Sequence, residues 1–256
     1  MIDYRLKAVL DEAVEKYNCL EFIEKDPIQI PHSFFKKEDV EVSAFLIALI
    51  SWGKRELILK SGFNLMARMD NAPYEFIRNA SETDLNNLKS FVHRTLNGDD
   101  AILLVKGLRS ICSNEGLEKS FGITKKGESA FDAISRFRAE FLKGISYPNR
   151  FVKHIADPER GSAAKRLNMF LRWMVRSDEK GVDFGIWNSV QMSQLLIPLD
   201  VHSGRVAREF DLLKRNQNDR KAVEELSLQL SLFDSKDPIK YDYALFGLGV
   251  NSNRAK

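Results

Sequence analysis

The sequence predicts an all-α protein. Apolar residues recur at three- and four-residue spacing along most of the chain, and no segment alternates with period two over a useful length. Ser, Asp and Pro stand where helices would start. Helices of ordinary length joined by short connections would number about ten to twelve.

Leu6, Val9, Leu10, Ala13 and Val14 form the apolar stripe of a first helix. Asp26 to Pro31 (DPIQIP) breaks the pattern, because proline resists helix interiors. Val42 to Trp52 is nearly all apolar and reads as a helix buried on every side, followed by Arg55 to Met69 with a basic outer face. Pro73 opens a short helix over 74–79, and Ser81 caps another to about His93, with Asp84 at the capping-box position. Gly98-Asp99-Asp100 starts a helix through about Asn114, with Gly116 near its end. Ser120 to Gly127 reads as a Gly/Lys loop and a candidate lobe boundary, and its Lys125-Lys126-Gly127 cluster as a solvated charge group. Ser129 to Leu142 is amphipathic through Phe131, Ile134, Phe137 and Phe141. Pro148 and Pro158 bracket a short helix, Ser162 to Arg176 is the strongest helix of the second half, and Asp183 to Leu195 is predicted as another, ended by Pro198. Asp200 caps 201–210, Asp219 starts a helix to Leu232, and Pro238 opens a last one to Phe246.

Composition narrows the function. The 256 residues are 44% apolar, enough for a core, and carry two cysteines. Two cysteines exclude a disulfide framework, a four-cysteine zinc site and a four-cysteine iron–sulfur site. Free thiols, the lack of a secretory apolar core at the N-terminus and the shortness of the longest apolar run (44–50) predict a soluble cytoplasmic protein with no membrane partner. His32, His93 and His154 lack metal-ligand spacing, so no metal site is expected. The net charge of +3 neither demands nor forbids a nucleic-acid partner. Its distribution says more. Residues 160–176 hold Arg160, Lys165, Arg166, Arg172 and Arg176 and no acid, so this stretch carries +5 and the rest of the chain −2.

Two segments carry candidate chemistry. In the first, Gly161-Ser162 stands just before a helix whose free N–H groups would favour a phosphate, a grip on DNA backbone that reads no bases. Lys165 falls in the first turn of that helix. The positive end of the helix dipole and desolvation would both favour its neutral amine, the form a Schiff-base nucleophile needs; the plainer alternative is a solvated lysine. In the second segment, Leu195 to Arg208 (LLIPLDVHSGRVAR), Asp200 is a natural N-cap. The same carboxylate facing a cleft could activate a water or stabilise positive charge developing on a sugar. His202 could touch phosphate or sugar, or simply pack. Arg205 and Arg208 share a helix face and suit phosphate, or pair with Glu209 and Asp211.

Together these stretches resemble the helix-hairpin-helix DNA glycosylase superfamily. Gly161-Ser162-Ala163-Ala164-Lys165 is similar to the family's hairpin and lysine, with Ala163 where the second Gly stands. Pro198 to Arg208 is similar to its aspartate turn. Ser43 to Ser51 looks like its apolar helix before a DNA-facing turn, and Asp237 to Gly249 like its closing helix. The chain most resembles an uncharacterised bacterial family near the archaeal 8-oxoguanine DNA glycosylases. The Lys165–Asp200 spacing of 35 residues is closer to that branch than to the endonuclease III branch. Trp52-Gly53 stands where many members carry Gln after Ser, and Ser177 to Gln191 is an added stretch, read as a turn and helix in front of the site.

The resemblance implies a single domain, 1–256, built as a two-lobed helical bundle of interleaved lobes, with hairpin and active-site elements at about 150–210. It implies base-excision repair of duplex DNA carrying a damaged base such as an oxidised purine, with or without AP lyase activity and without a cofactor. Lys165 would attack the anomeric carbon and Asp200 would be the catalytic carboxylate. Arg160, Gly161, Ser162, Ala163, Arg166, His202 and Arg205 would contact DNA. A flipped base wants an aromatic or apolar pocket. Trp52, Met169, Phe170, Trp173 and Trp187 are candidates against the alternative of ordinary core. Met169 is preferred because it lies one turn beyond Lys165, and Trp52 with it. Two further functions stay open: a non-catalytic helix-hairpin-helix DNA-binding protein, and a helical scaffold or protein-interaction domain. Oligomeric state is not encoded in any motif.

Overall fold

The computed structural model describes residues 3–252 apart from 124 and 126. The protein is mostly helical, with thirteen α-helices, six short 3₁₀ turns and one two-stranded hairpin among the described residues. In chain order these are α1 (Tyr4–Tyr17), α2 (Leu20–Ile23), α3 (Lys37–Ile50), α4 (Arg55–Arg68), α5 (Pro73–Asn79), α6 (Glu82–Asn86), the hairpin β1 (Val92–His93) and β2 (Leu96–Asn97), α7 (Gly98–Asn114), α8 (Gly116–Phe121) and α9 (Ala130–Lys143). The second half holds α10 (Lys165–Val175), α11 (Val201–Glu209), α12 (Arg220–Phe233) and α13 (Tyr241–Ser252). No helix among the described residues is long and apolar enough to cross a membrane.

The chain divides into two compact units, each assembled from separated stretches. The first comprises Met1–Phe22, Ser129–Phe131 and Asp157–Lys256; the second, Ile23–Glu128 and Asp132–Ala156. In the first unit α13 packs against α1 and α11. Leu10, Ala13 and Val14 of α1 are buried, whereas Val9 of the predicted stripe is exposed.

In the second unit α3 is central. Residues 41–50 are all buried, as the unbroken apolar run requires, and α4 and α5 pack on it. Phe45 of α3 meets Phe137 edge-on at 5.3 Å, and Phe137 stacks on Phe121 at 4.0 Å. Such aromatic pairs contribute roughly 0.5–1.5 kcal/mol each beyond their burial.

Several elements depart from the sequence reading. The helix capped by Ser81 keeps its predicted capping box with Asp84 but ends at Asn86, and the hairpin 92–97 replaces its second half. Gly98 permits the turn back: the Leu88 and Lys89 carbonyls lie so close over it that a Cβ there would come within 2.5 Å of both. Gly116 opens a further helix, α8, and Ser120 and Phe121 of the predicted loop belong to it. The solvent side of α4 is mixed, because Leu57 and Phe63 share it with Lys60.

The predicted helix at 183–195 is absent. Only a 3₁₀ turn at Met192–Gln194 forms, and Gly185 takes a positive φ of 58°. Phe184 N–H and Trp187 N–H donate instead to the carbonyls of Trp173 and Met174. This segment is therefore strung along the end of α10, and the added stretch 177–191 forms no helix. Met1, Ile2, Thr124 and Lys126, the last from the predicted Lys125-Lys126-Gly127 cluster, lie outside the described residues.

Candidate functional site

Lys165 and Asp200 stand at the N-termini of two helices of the first unit. Lys165 is the first residue of α10, and Asp200 is the N-cap of α11. Asp200 Oδ1 accepts from the backbone N–H groups of His202 and Ser203, each at 2.8 Å. That cap fixes the carboxylate and turns Oδ2 toward Lys165 Nζ, 3.3 Å away. Asp200 is nearly buried, at 9% side-chain exposure, while Lys165 keeps 37% and so remains reachable from solvent. Asn218 adds a further restraint, donating from Nδ2 to the Asp200 carbonyl at 2.9 Å and accepting from Arg208 Nη2 at 2.7 Å.

The approach to Lys165 is a tight turn. Asp157 caps a 3₁₀ turn over Pro158–Arg160, Gly161 takes φ 84°, and its N–H donates to the Pro158 carbonyl. Arg220 N–H closes on the Gly161 carbonyl at 3.0 Å, tying the turn to the start of α12. The second left-handed residue is Ala164, at φ 44° and ψ 36°, rather than Ala163. Ala163 therefore needs no glycine, and the left-handed conformation falls one residue later. An L-residue in this conformation costs roughly 1–2 kcal/mol. Ala164→Gly is expected to raise stability by up to about 1 kcal/mol after glycine's greater unfolded-state entropy. Ala163→Gly has no such strain to relieve and should lower stability. Urea denaturation of both variants checks the contrast. The Ala163 and Lys165 N–H groups donate to nothing among the described residues and remain available to an anion.

The basic stretch is not a basic face. Arg172 and Arg176 are 4% and 2% exposed. Arg172 is bound by Asp183 at 3.2 Å and by Asp242. Arg176 is bound by Asp178, Asp183 and Asp237 at 2.7–3.1 Å. Both guanidiniums lie over the buried Tyr243 ring. Four carboxylates thus neutralise two of the five cations of the 160–176 stretch. Arg160 remains exposed, 3.7 Å from Asp157, and Arg166 is half-buried.

Asp242 extends the site inward, and sequence reasoning missed it. Its carboxylate receives Arg172 and lies 3.4 Å from Ser203 Oγ, while Ser203 N–H serves Asp200. Burial pushes the Asp242 carboxyl up to about 6, against the pull of Arg172; Asp200 raises it further and Lys165 opposes. The sequence signal was a lone acid inside an otherwise apolar closing helix, a place where an acid survives only if partnered.

The remaining candidates are dispersed. Met169 is partly exposed, one turn from Lys165, whereas Phe170, Trp173 and Trp187 are core residues, with Phe170 edge-on to Trp187 at 5.2 Å. Trp52 belongs to the second unit. His202 packs edge-on to Phe246. Arg205 pairs with Glu209 at 2.7 Å and donates to the Gly249 carbonyl, and Arg208 serves Arg215 O and Asn218 instead of Asp211. A family model described as "protein of unknown function (DUF2400)" matches residues 26–251. No curated protein and no solved structure matches this chain.

Proposed function

The chain belongs to that DUF2400 family, and we propose that it is a DNA base-excision repair glycosylase of the helix-hairpin-helix type, acting on duplex DNA that carries a damaged base. The observation that carries the reading is Lys165 Nζ at 3.3 Å from Asp200 Oδ2, where two helix N-termini meet. An amine and a rigidly capped carboxylate in contact suit displacement at an anomeric carbon better than a surface ion pair does.

In the proposed step Asp200 takes a proton from the Lys165 ammonium. The Nζ lone pair bonds to C1′ while the glycosidic bond breaks, its electron pair leaving with the base, and the proton on Asp200 follows the base. Transfer of an Nζ proton to O4′ then opens the sugar to a Schiff base, the species from which AP lyase chemistry would proceed. The hairpin would hold a phosphate on the Ala163 and Lys165 N–H groups, with Ser162, Arg160 and Arg166 beside them. His202 and Arg205 are secondary contacts in this reading. Met169 is the proposed base-facing residue beside Lys165, and Trp52, in the second unit, is a separate candidate for stacking a base.

Borohydride trapping on duplex oligonucleotides carrying oxidised purines tests the proposal. A covalent adduct on at least one lesion is expected. Absence of any adduct across a broad lesion panel, with duplex binding intact, rejects the enzyme and leaves the non-catalytic DNA-binding protein. Loss of binding even at low salt leaves the scaffold reading.

A further inference from the structure

Trp52 and Arg94 form an arrangement that the Lys165–Asp200 chemistry does not use. It lies wholly in the second unit, where the turn after α3 meets the tip of the β1–β2 hairpin. The Arg94 guanidinium sits 4.5 Å from the centre of the Trp52 ring. Arg94 is exposed and has no carboxylate or other hydrogen-bonding partner among the described residues. A cation–π contact at an exposed position is weak, and an unpaired surface arginine has little reason to be held there by it alone.

The backbone nevertheless favours the arrangement at two points. Arg94 adopts φ 57°, a left-handed conformation unfavourable for an arginine. Gly53 adopts φ 107°, and a Cβ there would stand 2.5 Å from Arg94 Nη1, so the missing side chain makes room for the guanidinium. A two-residue hairpin loop requires a positive φ at its first position, and this turn sets Arg94 over the Trp52 ring.

The ring itself is fixed. His93 packs edge-on to Trp52 at 6.0 Å, its Nε2 lies 3.3 Å from the Trp52 carbonyl, and its Nδ1 lies 2.9 Å from Ser61 Oγ. Trp52 Nε1–H is buried and meets no acceptor among the described residues. An aromatic plate held rigid, an unpaired indole donor and one long, unpaired side chain over its face make a stacking platform with a removable cover.

We propose that Trp52 is a stacking site for the base of a nucleotide and that Arg94 covers it in the free protein, swinging off the ring to pair with the nucleotide's phosphate when the base stacks. Guanidinium and base compete for the same face, while the freed guanidinium gains a charge-assisted partner it lacks in the free protein. This deepens the base-stacking role given to Trp52 above and rests on that role, but it needs no excision chemistry.

The experiment uses the full chain and reads quenching of tryptophan fluorescence by guanosine and by guanosine 5′-monophosphate. Wild type should show saturable quenching with the monophosphate binding at least about tenfold more tightly than the nucleoside, the scale of one hydrogen bond to a charged group. Trp52→Phe should lose the saturable component. Arg94→Ala should bind guanosine several-fold more tightly than wild type, because the cover is gone, and should no longer prefer the monophosphate. Near-ultraviolet circular dichroism confirms that each variant is folded. Saturable quenching that survives in Trp52→Phe, equal nucleoside affinity in Arg94→Ala and wild type, or no saturable quenching in either overturns the proposal. Failure of borohydride trapping alone leaves it standing, since free-nucleotide binding is read without a lesion.

Discussion

Lys165→Gln should abolish the borohydride-trapped adduct and slow base release by at least about a thousandfold, the scale on which a lost nucleophile or acid–base group acts. Duplex affinity should change by no more than a few-fold, because the phosphate grip assigned to the turn at Gly161 uses backbone N–H groups that glutamine leaves in place. Single-turnover kinetics and a binding isotherm on the same lesion duplex separate the two effects. Asp200→Asn is the companion variant. Asparagine caps a helix about as well as aspartate, so the bonds to the His202 and Ser203 N–H groups should persist and stability should hardly move. Base release should fall by about 10²–10⁴ all the same. A variant as active as wild type would reduce Asp200 to a helix cap, and an adduct surviving in Lys165→Gln would mean another amine is the nucleophile.

The largest stability effect is expected at Asp183, which touches no proposed substrate. Its carboxylate is fully buried and bonds Arg172 Nε and Arg176 Nη1 at 3.2 and 3.1 Å. Asp183→Ala leaves two buried guanidiniums each short of a partner, a change that costs about 3–5 kcal/mol when a buried pair is broken. At about 2–4 °C per kcal/mol for a chain of this size, Tm should fall by roughly 6–20 °C. Asp178→Ala, at a carboxylate 20% exposed, should cost far less. Similar Tm values for the two variants would show that the network does not hold α10 and the 177–191 segment together. Asp242 gives this network a pH signature. Its carboxyl is raised in the folded chain to about 6, chiefly by burial, so the folded state holds that proton more tightly than the unfolded state. The resulting stability is fully present below the ordinary value of 3.8 and is lost as pH rises from there through about 6. Asp242→Asn should flatten that part of the stability profile in urea titrations.

Much of the fold was legible because helix signals are local. Ser81 with Asp84, Asp200 and Asp219 cap helices with their own side chains, and Pro73 opens one, so a few consecutive residues announce each start. The candidate site was legible for the same reason, since Lys165 and Asp200 both stand at helix starts. The segment 183–195 misled because its apolar residues have helical spacing while its polar ones are committed elsewhere. Asp183 is consumed by Arg172 of α10 and by Arg176 at its C-cap, and Phe184 and Trp187 donate their N–H groups to the end of that helix. The hairpin 92–97 is too short for a period to declare itself, and Gly98 permits the close backbone approach beside it.

The sequence alone determined the helical class, most helix starts, and which lysine and which aspartate are candidates for chemistry, because periodicity and capping are settled within a few residues. Tertiary structure decided what the charges do. Two of the five cations at 160–176 are buried on carboxylates up to 70 residues away, the left-handed strain sits at Ala164 rather than Ala163, and Lys165 Nζ meets Asp200 across 35 residues of chain. A side chain's charge is fixed by its chemistry, but its availability depends on partners that only folding brings near.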